Sequence, residues 1–256
     1  MYDAVEERLR DLLAPLRADP RHGAVMCDID GTLAPIVPTP DRAKVPKRAL
    51  EALAHVAERY VLVACITGRP AAQARRLVPI ERVAISGNHG LEILSGNEVT
   101  VVPQAARYQA AVHEALLVAE NDGLLPELGC RVEDKGITFS VHYRGSPRPD
   151  HAFRYLEAQL VPKLERAGLA WSFGRMVLEV RPPVAVDKGS AVRRLRGRKR
   201  IDQLLYVGDD RTDIDAFREA TVKIAVRSPE APPELIAQAD ATVEGTDEVV
   251  ELLESL

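Results

Sequence analysis

Four strand-like runs, each followed closely by polar residues and a glycine, constrain the fold more than any other feature of this sequence. They cover residues 24–27, 60–66, 82–86 and 204–207. Their largely apolar character is typical of parallel strands that are covered on both faces. Helices predicted over 46–58 and from Pro70 onward separate the first three runs, and a hairpin is predicted over 91–102. Because strands that alternate with helices indicate a doubly wound parallel sheet, we expect an α/β protein.

A second, smaller unit interrupts this pattern after Pro103. The sequence there predicts helix, hairpin, helix and hairpin in turn, which describes a small α+β domain. The predicted segments are a helix over 105–120, strands over 130–134 and 136–144, a helix over 150–167 capped by Asp150, and strands over 169–173 and 176–180. We expect residues 104–183 to form this inserted domain, and residues 1–103 together with 184–256 to form the sheet domain.

The charge balance argues against a nucleic-acid partner. The formal net charge is −4, whereas a protein that binds nucleic acid normally presents a basic surface. The chain does contain a basic stretch over residues 193–200. Cationic side chains favour the C-terminus of a helix, so this stretch fits a solvated helix end and the loop after it.

Cysteine usage and hydropathy predict a cytoplasmic protein that does not enter a membrane. Cys27, Cys65 and Cys130 cannot pair completely, and the first two lie in apolar runs, where a free thiol packs as a small hydrophobic group. Unpaired cysteines are typical of a reducing compartment. Residues 1–10 carry alternating charges without an apolar signal segment, and no apolar run is long enough to span a membrane.

The first strand ends in an acidic turn, Asp28-Ile29-Asp30-Gly31-Thr32-Leu33. In open α/β sheets, ligands bind at the carboxyl ends of the strands, which is where these two carboxylates lie. Two such groups suit a hard metal ion and a role in proton transfer. An Asx turn that caps a helix is the alternative, because a short Asp-x-Asp-Gly string often has that role. The proline-rich residues 34–40 predict an extended loop over this site.

Three other places in the chain supply polar side chains to the same predicted sheet edge. These residues are Thr67, Lys188, and the group Asp209, Asp210 and Asp213. Together with the acidic turn, they resemble the four motifs of the haloacid dehalogenase superfamily, in the order in which that superfamily has them. Four motifs in order are far more specific than any one of them. The resemblance implies a phosphotransferase with a Rossmann-like core and an inserted cap domain.

The resemblance also implies a chemical role for each motif. Asp28 would attack phosphorus and form an aspartyl-phosphate. Asp30 would protonate the leaving sugar oxygen and then deprotonate the attacking water. Thr67 would donate a hydrogen bond to the phosphoryl oxygens, and Lys188 would offset the crowding of negative charge. A surface ion pair is the alternative explanation for Lys188.

A Mg²⁺ cofactor is implied by the same resemblance. Asp28, Asp209 and the backbone carbonyl of Asp30 would hold the ion, since Mg²⁺ prefers oxygen ligands. Asp213 would act on it through water, with Asp210 as the alternative.

Segments outside these motifs resemble the trehalose-6-phosphate phosphatase family more closely. They are Ile85-Ser86-Gly87-Asn88-His89-Gly90-Leu91-Glu92-Ile93, the segment 133–144 with its Glu-x-Lys and Ser-x-His-x-Arg pattern, and the segments 177–182 and 208–213. The resemblance covers residues 22–256. Ile214 departs from it, because the family often has Glu at this position, which puts one supporting contact in doubt. The family resemblance implies hydrolysis of trehalose 6-phosphate to trehalose and phosphate, a step of trehalose biosynthesis.

The resemblance further implies which residues contact the sugar phosphate. They are Gly68, Arg69, Asn88, His89, Glu133, Lys135, Ser140, His142, Arg144 and Glu179. The two-residue period of a strand puts Ser140, His142 and Arg144 on one face. From spacing alone, the favoured explanation for this polar face is that it is solvated. With the family resemblance, contact with a ligand becomes the favoured explanation. For His142, the alternative to ligand contact is a structural role as a hydrogen-bonded histidine. For Asn88 and His89, the alternative is a structural role in a turn bounded by glycines.

Two other functions fit parts of the pattern. A phosphatase for another glycosyl phosphate, of the sucrose or mannosylglycerate type, would keep the same core motifs. A non-catalytic receiver-like protein also combines acids, Thr and Lys around a phosphorylated Asp, but such proteins are shorter and lack the inserted unit. We expect a monomer that binds a small sugar phosphate, with the trehalose-6-phosphate synthase of the preceding step as a candidate partner.

Overall fold

A computed structural model describes residues 2–37, 42–96, 98–197 and 199–256 of the chain. The chain forms two compact units. The larger consists of Met1–Thr100 with Val186–Leu256, and the smaller consists of Val101–Ala185. The smaller unit is therefore inserted between two parts of the larger one.

The strands are β1 (Gly23–Cys27), β2 (Leu62–Ile66), β3 (Val83–Gly87), β4 (Glu92–Ser95), β5 (Glu98–Val101), β6 (Arg131–Asp134), β7 (Phe139–His142), β8 (Ala170–Gly174), β9 (Val177–Arg181), β10 (Gln203–Gly208), β11 (Val222–Arg227) and β12 (Ala241–Glu244). The α-helices are α1 (Tyr2–Ala18), α2 (Lys47–Arg59), α3 (Ala71–Leu77), α4 (Pro103–Ala106), α5 (Gln109–Glu120), α6 (Leu124–Glu127), α7 (Pro149–Tyr155), α8 (Val161–Arg166), α9 (Lys188–Arg196), α10 (Asp213–Phe217), α11 (Pro233–Gln238) and α12 (Gly245–Glu254).

The large sheet has the strand order β12-β11-β10-β1-β2-β3-β4-β5 over the described residues. Neighbouring strands from β12 to β3 pair in parallel, and β4 pairs antiparallel to β3. Every residue of β1 and β2 is buried, as expected for strands covered on both faces. The predicted α/β fold with a doubly wound parallel sheet is confirmed.

Two hydrophobic layers cover the faces of this sheet. Val25 and Cys27 of β1 pack with buried residues of α1, α2 and α12. Ala24 and Met26 point to the opposite face and pack with buried residues of α9, α10 and α11. This alternation follows from the two-residue period of a strand. Because helices cover both faces, the strand ends are where a ligand can reach the sheet.

The register of β1 aligns its end with the ends of its neighbours. Cys27 pairs with Val207 of β10 and with Cys65 of β2. The residues that follow these strands, among them Asp28 and Thr67, therefore lie at one edge of the sheet.

The smaller unit contains an antiparallel sheet of strand order β6-β7-β9-β8. Phe139 and Val141 of β7 and Leu178 of β9 pack in one hydrophobic cluster with residues of α5, α7 and α8. The opposite face carries polar side chains, including those of Glu133 and Glu179, because successive residues of a strand alternate between faces. The sheet is therefore apolar toward its helices and polar on its other face.

Several predicted helices differ in detail from the structure. The helix predicted over 105–120 is two helices, α4 and α5. The short helices α6 and α11 carry too little periodicity to be predicted from the sequence. Within the described residues, none of the helices combines the length and the hydropathy that a membrane crossing requires. Residues 38–40 of the predicted loop, Asn97 of the predicted hairpin and Arg198 of the basic stretch lie outside the described residues.

Two prolines account for the shape of the helix predicted from Asp150. The helix begins at Pro149, so that Arg148 is the N-cap and Asp150 lies in the first turn. Proline suits the first helical position because an N–H there has no helical partner. Farther along, the π-helical stretch Leu156–Leu160 precedes α8. Pro162 in the first turn of α8 lacks an N–H group, and a widened turn relieves the clash that its ring would cause.

The N-terminus of α9 yields a test of local stability. Asp187 Oδ1 accepts a hydrogen bond from the Ser190 N–H at 2.6 Å, and the Ser190 hydroxyl accepts one from the Asp187 N–H at 3.0 Å. Because loss of a cap typically costs about 1 kcal/mol, we predict that Asp187→Ala lowers the free energy of unfolding by about that amount, measured by urea denaturation. Asp187→Asn keeps an acceptor oxygen and should stay close to wild type. Equal destabilisation by both variants would contradict the capping role.

Candidate active site

The turn after β1 is shaped by a buried carboxylate and a required glycine. Asp28 is only 6% exposed. Its N–H donates to the Val207 carbonyl at 3.0 Å, and its Oδ1 accepts a hydrogen bond from the Ile29 N–H at 2.6 Å. Gly31 has a φ of +79°, and a Cβ there would lie 2.1 Å from Asp209 Oδ2. Glycine is therefore required both for the left-handed backbone and for the close approach of Asp209.

Lys188, the first residue of α9, binds two of the carboxylates. Its Nζ lies 2.8 Å from Asp28 Oδ2 and 2.7 Å from Asp213 Oδ1, and the residue is 1% exposed. Burial by itself lowers the pKa of a lysine, but the negative charges of Asp213 and Asp28 outweigh that effect and raise the pKa of Lys188. Lys188 is therefore charged, and it connects the start of α9 to the end of β1.

Asp213, the first residue of α10, accepts hydrogen bonds at both carboxylate oxygens. Oδ1 accepts from Lys188 Nζ and from the Tyr206 hydroxyl, each at 2.7 Å. Oδ2 accepts from the N–H of Asp209 at 3.1 Å and from the N–H of Asp210 at 2.9 Å. Asp213 thereby orients Lys188 and holds the loop between β10 and α10.

The carboxylates exceed the positive charge that Lys188 supplies. Oxygen atoms of Asp28, Asp209 and Asp213 lie within 4.8 Å of one another. Burial, reinforced by the charge of Asp28, raises the pKa of Asp209 to about 8. Burial also raises the pKa of Asp28 to about 7, against the opposing charge of Lys188. Since one ammonium group cannot neutralise three carboxylates, this set of oxygen donors fits a hard divalent cation.

The loop after β2 brings Thr67 and Arg69 to the same edge of the sheet. Thr67 is buried, and its Oγ1 accepts a hydrogen bond from the Arg69 N–H at 3.2 Å. The guanidinium group of Arg69 pairs with Asp30 through two hydrogen bonds, Nε to Oδ2 at 2.6 Å and Nη2 to Oδ1 at 2.7 Å. The structure therefore joins Asp30 to the loop that carries Thr67.

The turn after β3 supports this loop through its backbone. Asn88 and His89 have left-handed φ angles of 48° and 53°. The Asn88 N–H donates to the Arg69 carbonyl at 2.8 Å, and the His89 N–H donates to the Thr67 carbonyl at 2.9 Å. A Cβ on Gly68 would lie 2.6 Å from His89 Nε2, so the imidazole ring lies directly against the loop. Asn88, His89 and Gly68 thus shape the segment that presents Thr67 and Arg69.

In the smaller unit, four of the sequence candidates share the polar face of the sheet. His142 Nε2 lies 2.6 Å from Glu133 Oε2, so His142 is a hydrogen-bonded histidine. Burial acts to raise the pKa of Glu133, but the hydrogen bond with His142 and the charge of Lys135 outweigh it and the pKa is lowered. Ser140 is buried and pairs with Glu133 on β6 and with Glu179 on β9.

The other two candidates of the smaller unit lie just beyond strand ends. Strand β7 ends at His142, so its alternation does not extend to Arg144. Arg144 is exposed, and its Nη2 donates to the carbonyl of Arg175 at 3.4 Å. Lys135 follows β6, and its N–H donates to the Thr138 carbonyl at 3.0 Å.

Three residues that support the larger unit's site are not among the candidate site residues of the sequence, although two of them lie within the motif segments quoted above. They are Tyr206, Thr32 and Glu92. Tyr206 lies within an apolar strand, so the hydroxyl of its side chain is the sequence feature that could have indicated a polar role. The Thr32 hydroxyl lies 3.4 Å from Asp209 Oδ1. Buried Glu92 accepts a hydrogen bond from the Ala71 N–H at 2.7 Å, and an acidic residue in a mostly apolar segment is the signal that could have identified it.

A model of the trehalose-phosphatase family matches residues 26–234 of the chain. The chain is 35% identical over 206 residues to probable trehalose-phosphate phosphatase D of Arabidopsis thaliana, which covers 75% of this chain and 55% of that relative. It thus spans about half the length of the curated relative that it matches.

Two solved structures share the fold. A trehalose-6-phosphate phosphatase related protein aligns with a TM-score of 0.76 and 23% identity, over 91% of this chain and 96% of the other. A haloacid dehalogenase-like hydrolase from Bacteroides thetaiotaomicron aligns with a TM-score of 0.65 and 16% identity, over 92% of this chain and 99% of the other. At such low identities the likeness concerns the fold alone. The resemblance found in the motifs is confirmed by the family match, and the chain belongs to the trehalose-phosphatase family.

Proposed function

We propose that this chain is a Mg²⁺-dependent phosphatase that hydrolyses trehalose 6-phosphate to trehalose and phosphate through an aspartyl-phosphate at Asp28. The observation that carries the proposal is the buried cluster of Asp28, Lys188, Asp209 and Asp213 at the carboxyl ends of β1 and β10. Phosphoryl transfer requires positioning and charge neutralisation more than covalent chemistry from the protein, and this cluster supplies both. Membership of the family supports the choice of substrate.

Asp28 is the proposed nucleophile because the protein orients its carboxylate. One oxygen is held by Lys188 and the other by the Ile29 N–H. In the first step an Asp28 oxygen bonds to phosphorus, the bond from phosphorus to the sugar oxygen breaks, and Asp30 gives that oxygen a proton. In the second step water attacks phosphorus and Asp30 accepts the proton of the water. The Asp28 carboxylate is then restored and phosphate leaves.

The pairing of Asp30 with Arg69 suggests how substrate prepares the acid. Both oxygens of Asp30 accept hydrogen bonds from Arg69, so in this pairing the carboxylate is directed at the guanidinium group and not at a leaving group. A phosphoryl group offers Arg69 the same two-point geometry as a carboxylate. In the proposal, the oxygens of the bound phosphoryl group accept hydrogen bonds from Arg69 and Thr67. Arg69 then no longer pairs with Asp30, which becomes available for proton transfer.

Asp28, Asp209 and the backbone carbonyl of Asp30 are the proposed Mg²⁺ ligands. Asp213 is assigned an indirect role through water, because each of its oxygens already accepts two hydrogen bonds. When bound, Mg²⁺ would neutralise charge on the phosphoryl oxygens.

The first prediction concerns the nucleophile. Asp28→Asn preserves the size of the side chain but removes the nucleophilic charge, so kcat should fall by at least about 10³-fold. Release of phosphate measures the loss, and a circular dichroism melt checks the fold. Acid-quenched wild-type enzyme should carry one phosphoryl group on the peptide that contains Asp28. A variant with a tenth or more of wild-type activity, as a rough limit, would exclude Asp28 as the nucleophile.

The second prediction concerns the metal. Activity should require Mg²⁺ and be lost in a chelator. Asp209→Asn should raise the Mg²⁺ concentration for half-maximal activity by at least about tenfold. Asp210→Asn is the matched control, because its carboxylate is next in sequence and is not a proposed direct ligand; it should stay within about threefold of wild type. The reverse order of the two variants would overturn the ligand assignment.

The smaller unit is assigned the role of a cap that recognises the sugar. Its polar face presents carboxylates, an imidazole and a hydroxyl, which are the groups that exchange hydrogen bonds with sugar hydroxyls. The carboxylates of Glu133 and Glu179 are half-buried and Ser140 is buried, so the face is not simply solvated. Glu133, Lys135, Ser140, His142, Arg144 and Glu179 are therefore proposed to contact the disaccharide.

The third prediction separates recognition from chemistry. Loss of a hydrogen-bonding partner in a desolvated site costs about 1–3 kcal/mol, and more when the group is charged, as Lys135 and Glu179 are. Lys135→Ala and Glu179→Ala should therefore lower kcat/KM for trehalose 6-phosphate by about ten- to several-hundred-fold. With a small aryl phosphate, which lacks the sugar, both variants should stay within about threefold of wild type. Glu157→Ala, at an exposed position of the same unit, is the control for Glu179. Equal losses on both substrates would refute the recognition role.

A substrate panel tests the other functions that the motifs allow. Faster turnover of a sucrose or mannosylglycerate phosphate than of trehalose 6-phosphate would identify a related phosphatase with a different sugar. A receiver-like protein would keep the phosphoryl group on Asp28 and release no phosphate from any sugar phosphate.

A further inference from the structure

Strand β8 is an open edge of the sheet in the smaller unit. It pairs with β9 on one side and ends the strand order there. Over the described residues, Ala170–Gly174 take part in none of the hydrogen bonds that turns, loops and caps make. The N–H and C=O groups on the outer side of β8 are therefore available to pair with another strand.

The sequence of this edge lacks the features that normally prevent such pairing. Natural edge strands carry lysine, proline or a bulge, or are covered by other elements. Strand β8 reads Ala-Trp-Ser-Phe-Gly, without a charge or a proline, and its five residues pair with β9 without a bulge. Trp171 and Phe173 are only half-buried although their rings lie 5.8 Å apart in an edge-on contact.

The pattern of small and aromatic residues in β8 is symmetric about Ser172. If two copies of the strand pair antiparallel with the two Ser172 residues opposite each other, Trp171 of each copy lies opposite Phe173 of the other. Ala170 then lies opposite Gly174. Aromatic cross-strand pairs are among the most favourable in antiparallel sheets. A second copy of this chain therefore fits the edge better than an unrelated strand. Because the two copies are related by a two-fold axis, one pairing creates both aromatic pairs.

We propose that β8 is a homodimerisation edge, at which two copies of the chain join their small sheets through antiparallel pairing centred on Ser172. One short strand from each copy buries less surface than a standard interface, so the dimer is weak and depends on concentration. This differs from the monomer expected from the sequence. It does not rest on the proposed phosphatase activity, so each can fail without the other.

The test uses the full 256-residue chain. Sedimentation measures its mass between about 1 and 500 µM, the range in which small interfaces associate. Trp171 is the single tryptophan, so its fluorescence reports on β8 directly and should shift to shorter wavelength as the dimer forms. Ser172→Lys and Ser172→Asp place like charges opposite each other across the axis, and each should weaken dimerisation by about tenfold or more.

Mixing the two charged variants provides the decisive control. An equimolar mixture of Ser172→Lys and Ser172→Asp brings opposite charges together and should recover the association that each variant alone has lost. Ser172→Thr, which is neutral and suits a strand, should dimerise like wild type. Recovery also shows that both charged variants are folded. A wild-type chain that stays monomeric throughout the range, a dimer that Ser172→Lys leaves unchanged, or a mixture that fails to associate would each overturn the proposal.

Discussion

The contact of Lys188 with Asp28 and Asp213 is the interaction on which the rest of the larger unit's site depends. Moving an ammonium group out of water costs several kcal/mol, and this one is almost completely buried. The two carboxylates offset that cost, since each lies within 2.8 Å of Nζ. They come from the end of β1 and the start of α10, while Lys188 begins α9. The ion pairs therefore hold three elements in the geometry that the proposed chemistry needs.

The same contact explains why the site suits a cation and an anionic substrate together. Lys188 neutralises only part of the negative charge, and burial raises the pKa of Asp28 and of Asp209. A divalent ion would relieve that repulsion, and the phosphoryl group could then approach carboxylates that would otherwise repel it. The close approach of Asp209 to Gly31 leaves no room for a side chain between them. Charge and packing thus constrain the same few atoms.

In the two proposals, three parts of the small sheet have different purposes. Its apolar face packs on helices and stabilises the unit. Its polar face is assigned to the sugar, and the edge at β8 is assigned to a second copy. A strand has two faces and a hydrogen-bonding edge that are chemically independent, because side chains point to the faces while the backbone groups lie in the plane of the sheet. A small sheet can therefore offer side chains on a face for recognition and backbone groups at an edge for association.

The sequence by itself determined the alternation of strands and helices, apart from short helices such as α6 and α11, and it determined the residues at the strand ends. Apolar runs, glycines and caps act over a few residues, so Asp28 after β1 and Lys188 at the start of α9 could be located by pattern alone. Only the tertiary structure decided which side chains meet. Asp30 pairs with Arg69, 39 residues away, and Tyr206 binds Asp213, while β8 becomes an edge because of the strand order. These contacts depend on register and packing between distant segments, which no local pattern specifies.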